Sequence, residues 1–168
     1  MELKVVQTPW YAHGLKFECT SCGNCCTGGP GFIWISDPEI ARLSDFLLLP
    51  ADHILRQYCR KLQGGISLKE KPRNSRGEYD CIFLQELPAE PGDGNSVRHS
   101  RRICQIYPLR PLQCRTWPFW QGNLASPKAW QAATVRCPGM NQGKAWPLDQ
   151  IEARRDAADW PDDRYREP

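Results

Sequence analysis

Cys19-Thr-Ser-Cys-Gly-Asn-Cys-Cys26 packs four thiols into eight residues, and its reading decides how the rest of the chain is organised. A Cys-x2-Cys unit wraps one metal centre because two intervening residues let the backbone turn back, so both sulfurs face the same point. Gly23 in the turn, and Gly28, Gly29 and Gly31 just beyond it, permit close backbone approach and amide hydrogen bonds to sulfur. Cysteines that act as small buried hydrophobes do not crowd into a polar, glycine-rich loop. Cys25 and Cys26 adjoin, and as neighbours they are expected to point in different directions, toward different centres.

The other cysteines are dispersed: Cys59, Cys81, Cys104, Cys114 and Cys137. Cys59 falls on the apolar side of a helix expected over 52–62 and is assigned to the core. The expected metal ligands are therefore Cys19, Cys22, Cys25, Cys26, Cys81, Cys104, Cys114 and Cys137. Eight thiolates suffice for two four-thiolate sites, or for one cluster with structural thiols beside it.

Two features favour an iron–sulfur cluster of the 4Fe-4S type. Cys19-x2-Cys22-x2-Cys25 is the three-ligand run of bacterial ferredoxins, and Cys137-Pro138 supplies the distant cysteine-proline that completes it. Paired Cys-x2-Cys knuckles, the common zinc arrangement, are absent. Against this, adjacent cysteines are foreign to ferredoxins, and Zn2+ takes four thiolates from scattered positions readily. Zinc and iron–sulfur both stay open at this level.

Other chemistries fit less well. Radical cleavage of S-adenosylmethionine calls for Cys-x3-Cys-x2-Cys; Cys22-x3-Cys26 begins that pattern, but Gly29 stands at its third position. Cys19-Thr-Ser-Cys22 lacks the βαβ setting of a redox dithiol. His13, His53 and His99 rank behind the cysteines as ligands. Thr27-Gly-Gly-Pro-Gly31 is followed by no Lys-Ser/Thr, so it is no phosphate loop. No catalytic residues can be named from the pattern.

A chain of 168 residues suits one domain. Only 40% of residues are hydrophobic, mean hydropathy is −0.59, and 13 Gly and 15 Pro interrupt the chain. The fold class expected is α+β: a small, loop-rich single domain whose short strands and helices are organised around a cysteine metal site. Seven Trp and five Phe are expected to supply much of the apolar burial.

The formal charge of +3 counts thiols as neutral. One four-thiolate zinc site, at net −2, lowers it to +1, which argues against nucleic acid as a partner. The basic run Arg98-His99-Ser100-Arg101-Arg102 has no interleaved aromatics and reads as a solvated loop. Met1 to Gly14 holds no apolar run of signal-peptide length, and no stretch approaches a membrane span. A cytoplasmic protein with reduced thiols is the expectation, and an odd count of nine cysteines argues against a closed disulfide framework.

Along the chain, Leu3, Val5 and Val6 begin a strand-like stretch that runs toward Phe17, and Phe32-Ile-Trp-Ile35 reads as a strand. Ser36-Asp-Pro-Glu39 opens a helix with a capping box, and Pro50 closes it. The helix over 52–62 is expected to end at Gly64-Gly65. Ile66 to Lys71 and Glu78 to Leu84 read as strands, and 86–102 as an exposed insertion loop. Ser126-Pro127 starts a short helix, and Leu148 to Ala158 forms another. This divides the chain into a cysteine-cluster domain, 1–147, and a C-terminal helix and tail, 148–168.

Phe17-x-Cys19-x2-Cys22-Gly23-x-Cys25-Cys26, Cys81-Ile-Phe-Leu84, Cys104-x-Ile-Tyr107-x2-Arg110-Pro111-x2-Cys114-Arg115-x-Trp117-Pro118-Phe119 and Cys137-Pro138-Gly139 occur in that order. Together they resemble the YkgJ-type CxxCxxCC cysteine-cluster proteins, and the resemblance implies a zinc- or iron-chelating domain from about Phe17 to Gly139. The flagellin lysine-N-methylases look like relatives with a similar cluster, which implies an iron–sulfur enzyme of the methyl-transfer or redox type as the alternative function. Two departures stand out: the 86–102 insertion, and Trp117 where that family usually has Phe. No cofactor fingerprint accompanies the cysteines, so a metal-binding module, with a metal ion or cluster as its partner, is the favoured expectation. Arg110, Arg115 and Arg136 flank the later cysteines, and their guanidinium groups are expected to compensate thiolate charge.

Overall fold

The computed structural model describes residues 8–88 and 101–157. The chain is built of short pieces, as its prolines and glycines require. In order they are β1 (Leu15–Phe17), β2 (Thr27–Gly28), α1 (Asp37–Leu47), α2 (Ala51–Tyr58), β3 (Cys59–Leu62), β4 (Gly65–Leu68), β5 (Glu70–Pro72), β6 (Tyr79–Cys81) and β7 (Leu84–Leu87). After them come β8 (Arg101–Cys104), α3 (Leu112–Thr116), α4 (Gln121–Leu124), α5 (Pro127–Thr134), β9 (Met140–Trp146) and α6 (Leu148–Asp156). The α+β class expected from the sequence is the class observed. Two compact units form, one from 8–20 with 116–157, the other from 21–88 with 101–115.

In the first unit β1 pairs antiparallel with β9, with a register shift between Lys16 and Phe17. Its core is Tyr11, Phe17, Phe119, Leu124, Trp130, Met140 and Ile151. Phe119 is fully buried, stacked on Trp130 at 6.0 Å and edge-on to Phe17 at 6.0 Å. Such aromatic pairs each contribute about 0.5–1.5 kcal/mol beyond their area. A buried indole N–H requires an acceptor, and each finds one: Trp10 at the Leu124 carbonyl, Trp130 at Asn141, Trp146 at the Phe17 carbonyl, all at 2.8 Å. The aromatic residues carry this core, as composition suggests. Ser126 caps α5 by accepting from the Ala129 amide at 3.1 Å.

In the second unit α1 opens at Ser36 as its sequence dictates. The Ser36 amide and hydroxyl both donate to Glu39 Oε2 at 3.0 Å. The helix ends with Leu48 in the left-handed region, just before Pro50. Helix α2 stops at Tyr58 rather than running to Leu62. Cys59–Leu62 instead forms β3 and pairs residue for residue with β4 across Gln63-Gly64, so the glycines make a hairpin turn rather than a helix end. Strand pairing outweighs the helical spacing of a short apolar pattern here. Trp34 bridges Ser67 from the other side, and two backbone hydrogen bonds, from the Ile35 amide to the Ile66 carbonyl at 3.0 Å and from the Leu68 amide to the Ile33 carbonyl at 2.8 Å, hold the segment beside β4.

Strands β2, β6 and β5 form a three-stranded antiparallel sheet, and β7 pairs with β8. The segment expected as a loop over 86–102 thus begins and ends as strand, with Glu86 opposite Arg102 and Leu87 opposite Arg101. Positions 89–100 lie outside the described residues, as do Leu3, Val5, Val6 and the tail beyond Ala157. The core of this unit gathers Ile35, Ile40, Leu43, Ile54, Cys59, Leu68, Cys81, Phe83, Leu84 and Ile106. No helix among the described residues is long and apolar enough to cross a membrane.

Candidate metal centre

Six of the eight expected ligands belong to the second unit: Cys22, Cys25 and Cys26 on one loop, and Cys81, Cys104 and Cys114 each on a separate element. Gly23 takes φ 72°, and a Cβ there would meet Leu84 Cδ1 at 3.0 Å and Arg102 Cβ at 3.1 Å. The glycine therefore lets the cysteine loop lie directly on the β7–β8 hairpin. Arg102 fastens it further by donating to the Asn24 side-chain oxygen. Asn24–Cys26 forms a 3-10 turn, and β2 then pairs Thr27 with Asp80, which brings Cys26 beside the strand that ends in Cys81. Cys104 ends β8, opposite Leu84.

Cys114 sits on α3, whose position is fixed by the residues on either side of it. Gln113 accepts from the Trp34 amide at 2.8 Å and donates to the Phe32 carbonyl at 3.2 Å. Glu39 accepts from the Leu112 amide at 2.7 Å and from Arg115 at 3.3 Å. Arg115 also donates to the Arg110 carbonyl at 2.8 Å. Its guanidinium thus serves the α1–α3 junction rather than a thiolate, against the expectation from sequence. Arg110 does meet that expectation: its positive charge favours the thiolate at both Cys104 and Cys114. Its guanidinium lies over the Tyr107 ring, 3.7 Å from the centroid.

The thiols of this unit feel one another. Cys26 and Cys104 share a side-chain hydrogen bond that raises the Cys26 thiol and lowers Cys104. Burial pushes Cys81 up to about 12, with the Cys104 and Cys25 charges adding to it. Burial likewise raises Cys114, and Cys81, Cys25 and Cys104 raise it further. Five sulfurs are therefore close enough that charging one opposes charging the next, the condition a bound cation relieves.

The Sγ atoms of Cys25 and Cys26 stand 3.9 Å apart. The two neighbours lie side by side, not divergent as expected. Two thiolates on one tetrahedral zinc, with Zn–S near 2.3 Å, are separated by about 3.8 Å. The softness of the donors suits zinc or iron. Among the described residues no three His, Cys, Asp or Glu side chains are gathered around a single coordination point.

Cys59, assigned to the core, is 4% exposed there, on a strand rather than a helix. Burial pushes its thiol up to about 11, partly offset by Lys69. All nine cysteines are thiols rather than half-cystines.

Cys19 and Cys137 belong to the first unit, both packed on its aromatic core. The backbone segments that carry them touch at Gly139. A Cβ there would fall 2.0 Å from the Glu18 carbonyl oxygen, and the Glu18 amide donates to the Gly139 carbonyl at 3.1 Å. Cys137-Pro-Gly139 therefore needs its glycine for close approach to the residue preceding Cys19. Trp117 Nε1 donates to Cys137 Sγ at 3.3 Å. The structuring roles of Glu39, Gln113 and Arg102 escape sequence reasoning. The one available signal was the capping box, which singled out Glu39 for its helix alone.

A family model described as "CxxCxxCC: Putative zinc- or iron-chelating domain" matches residues 18–138. An uncharacterized protein of Methanocaldococcus jannaschii, MJ0661, is 28% identical over 120 residues, which cover 71% of this chain and 53% of the relative. The matched region spans about half the length of that relative. No solved structure matches the chain.

Proposed function

Because the chain belongs to the CxxCxxCC family of zinc- or iron-chelating domains, we propose that it binds one zinc or iron ion through cysteine thiolates of its second unit. The observation that carries this reading is the 3.9 Å separation of the Cys25 and Cys26 sulfurs, with Cys26 hydrogen-bonded to Cys104. Cys25, Cys26 and Cys104 would hold the ion together with Cys81 or Cys114. Cys22 opens the same loop. The bound ion supplies positive charge that makes several neighbouring thiolates compatible and ties separate strands and loops together.

The chain's own residues do the rest. Gly23 lets the cysteine loop lie on the hairpin that carries Cys104. Arg102 fixes the loop through Asn24. Arg110 offsets thiolate charge at Cys104 and Cys114, and Glu39 with Gln113 holds α3 so that Cys114 stays in place. An iron–sulfur cluster is the second reading, favoured by the Cys19-x2-Cys22-x2-Cys25 run. Anaerobic purification followed by metal and acid-labile sulfide analysis separates the two. Zinc or iron without sulfide supports the single ion, and iron with matching sulfide supports the cluster.

A further inference from the structure

Cys81 and Cys104 occupy matching positions in the second unit. Each is the last residue of a strand, β6 or β8, and a tight turn follows each of them. Two residues on, the Phe83 amide donates to the Cys81 sulfur, and the Ile106 amide donates to the Cys104 sulfur. Buried side chains hold both donors: Phe83 stacks on Tyr58 at 4.8 Å, and Ile106 is enclosed in the same core. The Gln105 amide donates to the Phe83 carbonyl at 3.0 Å, which ties one turn to the other. Such an amide fixes the direction of the sulfur and stabilises its charged form, the form that binds metal. Cys114 has no turn of this kind. It lies inside α3, where the amide two residues ahead is committed to a carbonyl of the preceding helical turn. Glu70 pairs with Cys81 across the sheet, and its charge opposes a thiolate there. Its carboxylate is engaged elsewhere, by the Gly31 amide at 3.1 Å and by Arg60 at 3.3 Å.

On the thiolate-centre reading above, we propose that Cys81, and not Cys114, completes the ligand set with Cys25, Cys26 and Cys104. The Phe83 and Ile106 amides are then positioning groups that aim the Cys81 and Cys104 sulfurs at the ion. Cys81 and Cys104 face the ion from the two linked turns, and Cys25 and Cys26 close it from the loop that Gly23 lays on the β7–β8 hairpin.

NMR of the whole, isotope-labelled chain loaded with a spin-active cadmium(II) isotope tests this. Spin coupling passes from the metal through each bound sulfur and onward across an N–H···S hydrogen bond. Coupling is expected at the β-protons of Cys25, Cys26, Cys81 and Cys104 and at the amide protons of Phe83 and Ile106, with none at Cys114. Cys114→Ser should keep all of these couplings, whereas Cys81→Ser should lose the one at the Phe83 amide. Coupling at Cys114 in place of Cys81 would overturn the proposal while the thiolate centre stands. Coupling at Cys81 with none at either amide would overturn the positioning role, because a turn that serves the fold alone carries no spin coupling to the metal. A folded chain that takes up no cadmium, a soft ion suited to thiolates, would contradict the thiolate centre itself and take the proposal with it.

Discussion

The Glu39 carboxylate accepts a 2.7 Å hydrogen bond from the Leu112 amide, so the first turn of α1 holds the first turn of the helix that carries Cys114. The same buried side chain caps its own helix at Ser36 and receives Arg115. One carboxylate therefore joins a local sequence signal to a tertiary junction more than seventy residues away.

Burial alone would raise the Glu39 pKa, but the backbone hydrogen bonds of Ser36 and Leu112, then the Ser36 hydroxyl and Arg115, outweigh it and hold the group below its ordinary 4.5. A depressed folded-state pKa gives stability that is fully present above 4.5 and is lost as pH falls through the folded value. Glu39→Gln is expected to lose about 2 kcal/mol at pH 7. In chemical denaturation at descending pH, the gap between wild type and variant should begin to narrow below about pH 4.5 and close as pH passes below the lowered folded-state pKa, where both carry a neutral side chain. A gap that stays constant with pH would contradict the role given to the charge.

Gly139 faces the Glu18 carbonyl with no room for a methyl group. Gly139→Ala is expected to destabilise the chain by about 1–3 kcal/mol, since the two atoms nearest the new Cβ, the Glu18 carbonyl oxygen and carbon, are backbone atoms that cannot swing aside. Gly29, which has nothing within 4 Å of such a Cβ, serves as the control. Gly29→Ala should stay within about 0.5 kcal/mol of wild type in the same melts.

Cys59 and Cys81 are both buried, yet they are assigned opposite roles. Cys59→Ser should cost about 1–3 kcal/mol through an unpaired buried hydroxyl while leaving the metal content of the purified chain unchanged. Cys81→Ser should lower metal content. Equal metal loss in the two variants would remove the distinction between core thiol and ligand.

Arg110 and Arg115 are likewise predicted to part company. Thiols must lose protons to bind metal, and Arg110 favours the charged form at Cys104 and Cys114. Arg110→Gln therefore should move the half-point of zinc loading to higher pH. Arg115→Gln, which breaks the contact to Glu39, should lower thermal stability and leave that half-point where it was.

Much of this was legible in the sequence for identifiable reasons. The capping box at Ser36 and the Ser126-Pro127 start are local, so they survived folding intact. Cys59–Leu62 did not, because its apolar spacing fits a helix and a strand alike, and only the pairing with Gly65–Leu68 decides. The cysteines announced a metal centre by their crowding, but the side-by-side placement of Cys25 and Cys26 depends on the Asn24–Cys26 turn and the pairing of Thr27 with Asp80. Arg110 and Arg115 look equivalent in sequence. Only the position of Glu39, set by another helix, separates them.

The most direct test of the thiolate centre is the metal and sulfide content per chain, measured on anaerobically purified wild type and on the Cys26→Ser/Cys104→Ser variant. The account predicts about one zinc or iron ion per wild-type chain without acid-labile sulfide, and loss of that ion in the variant. A folded wild-type chain that holds no metal, or a variant that keeps all of it, would contradict the account.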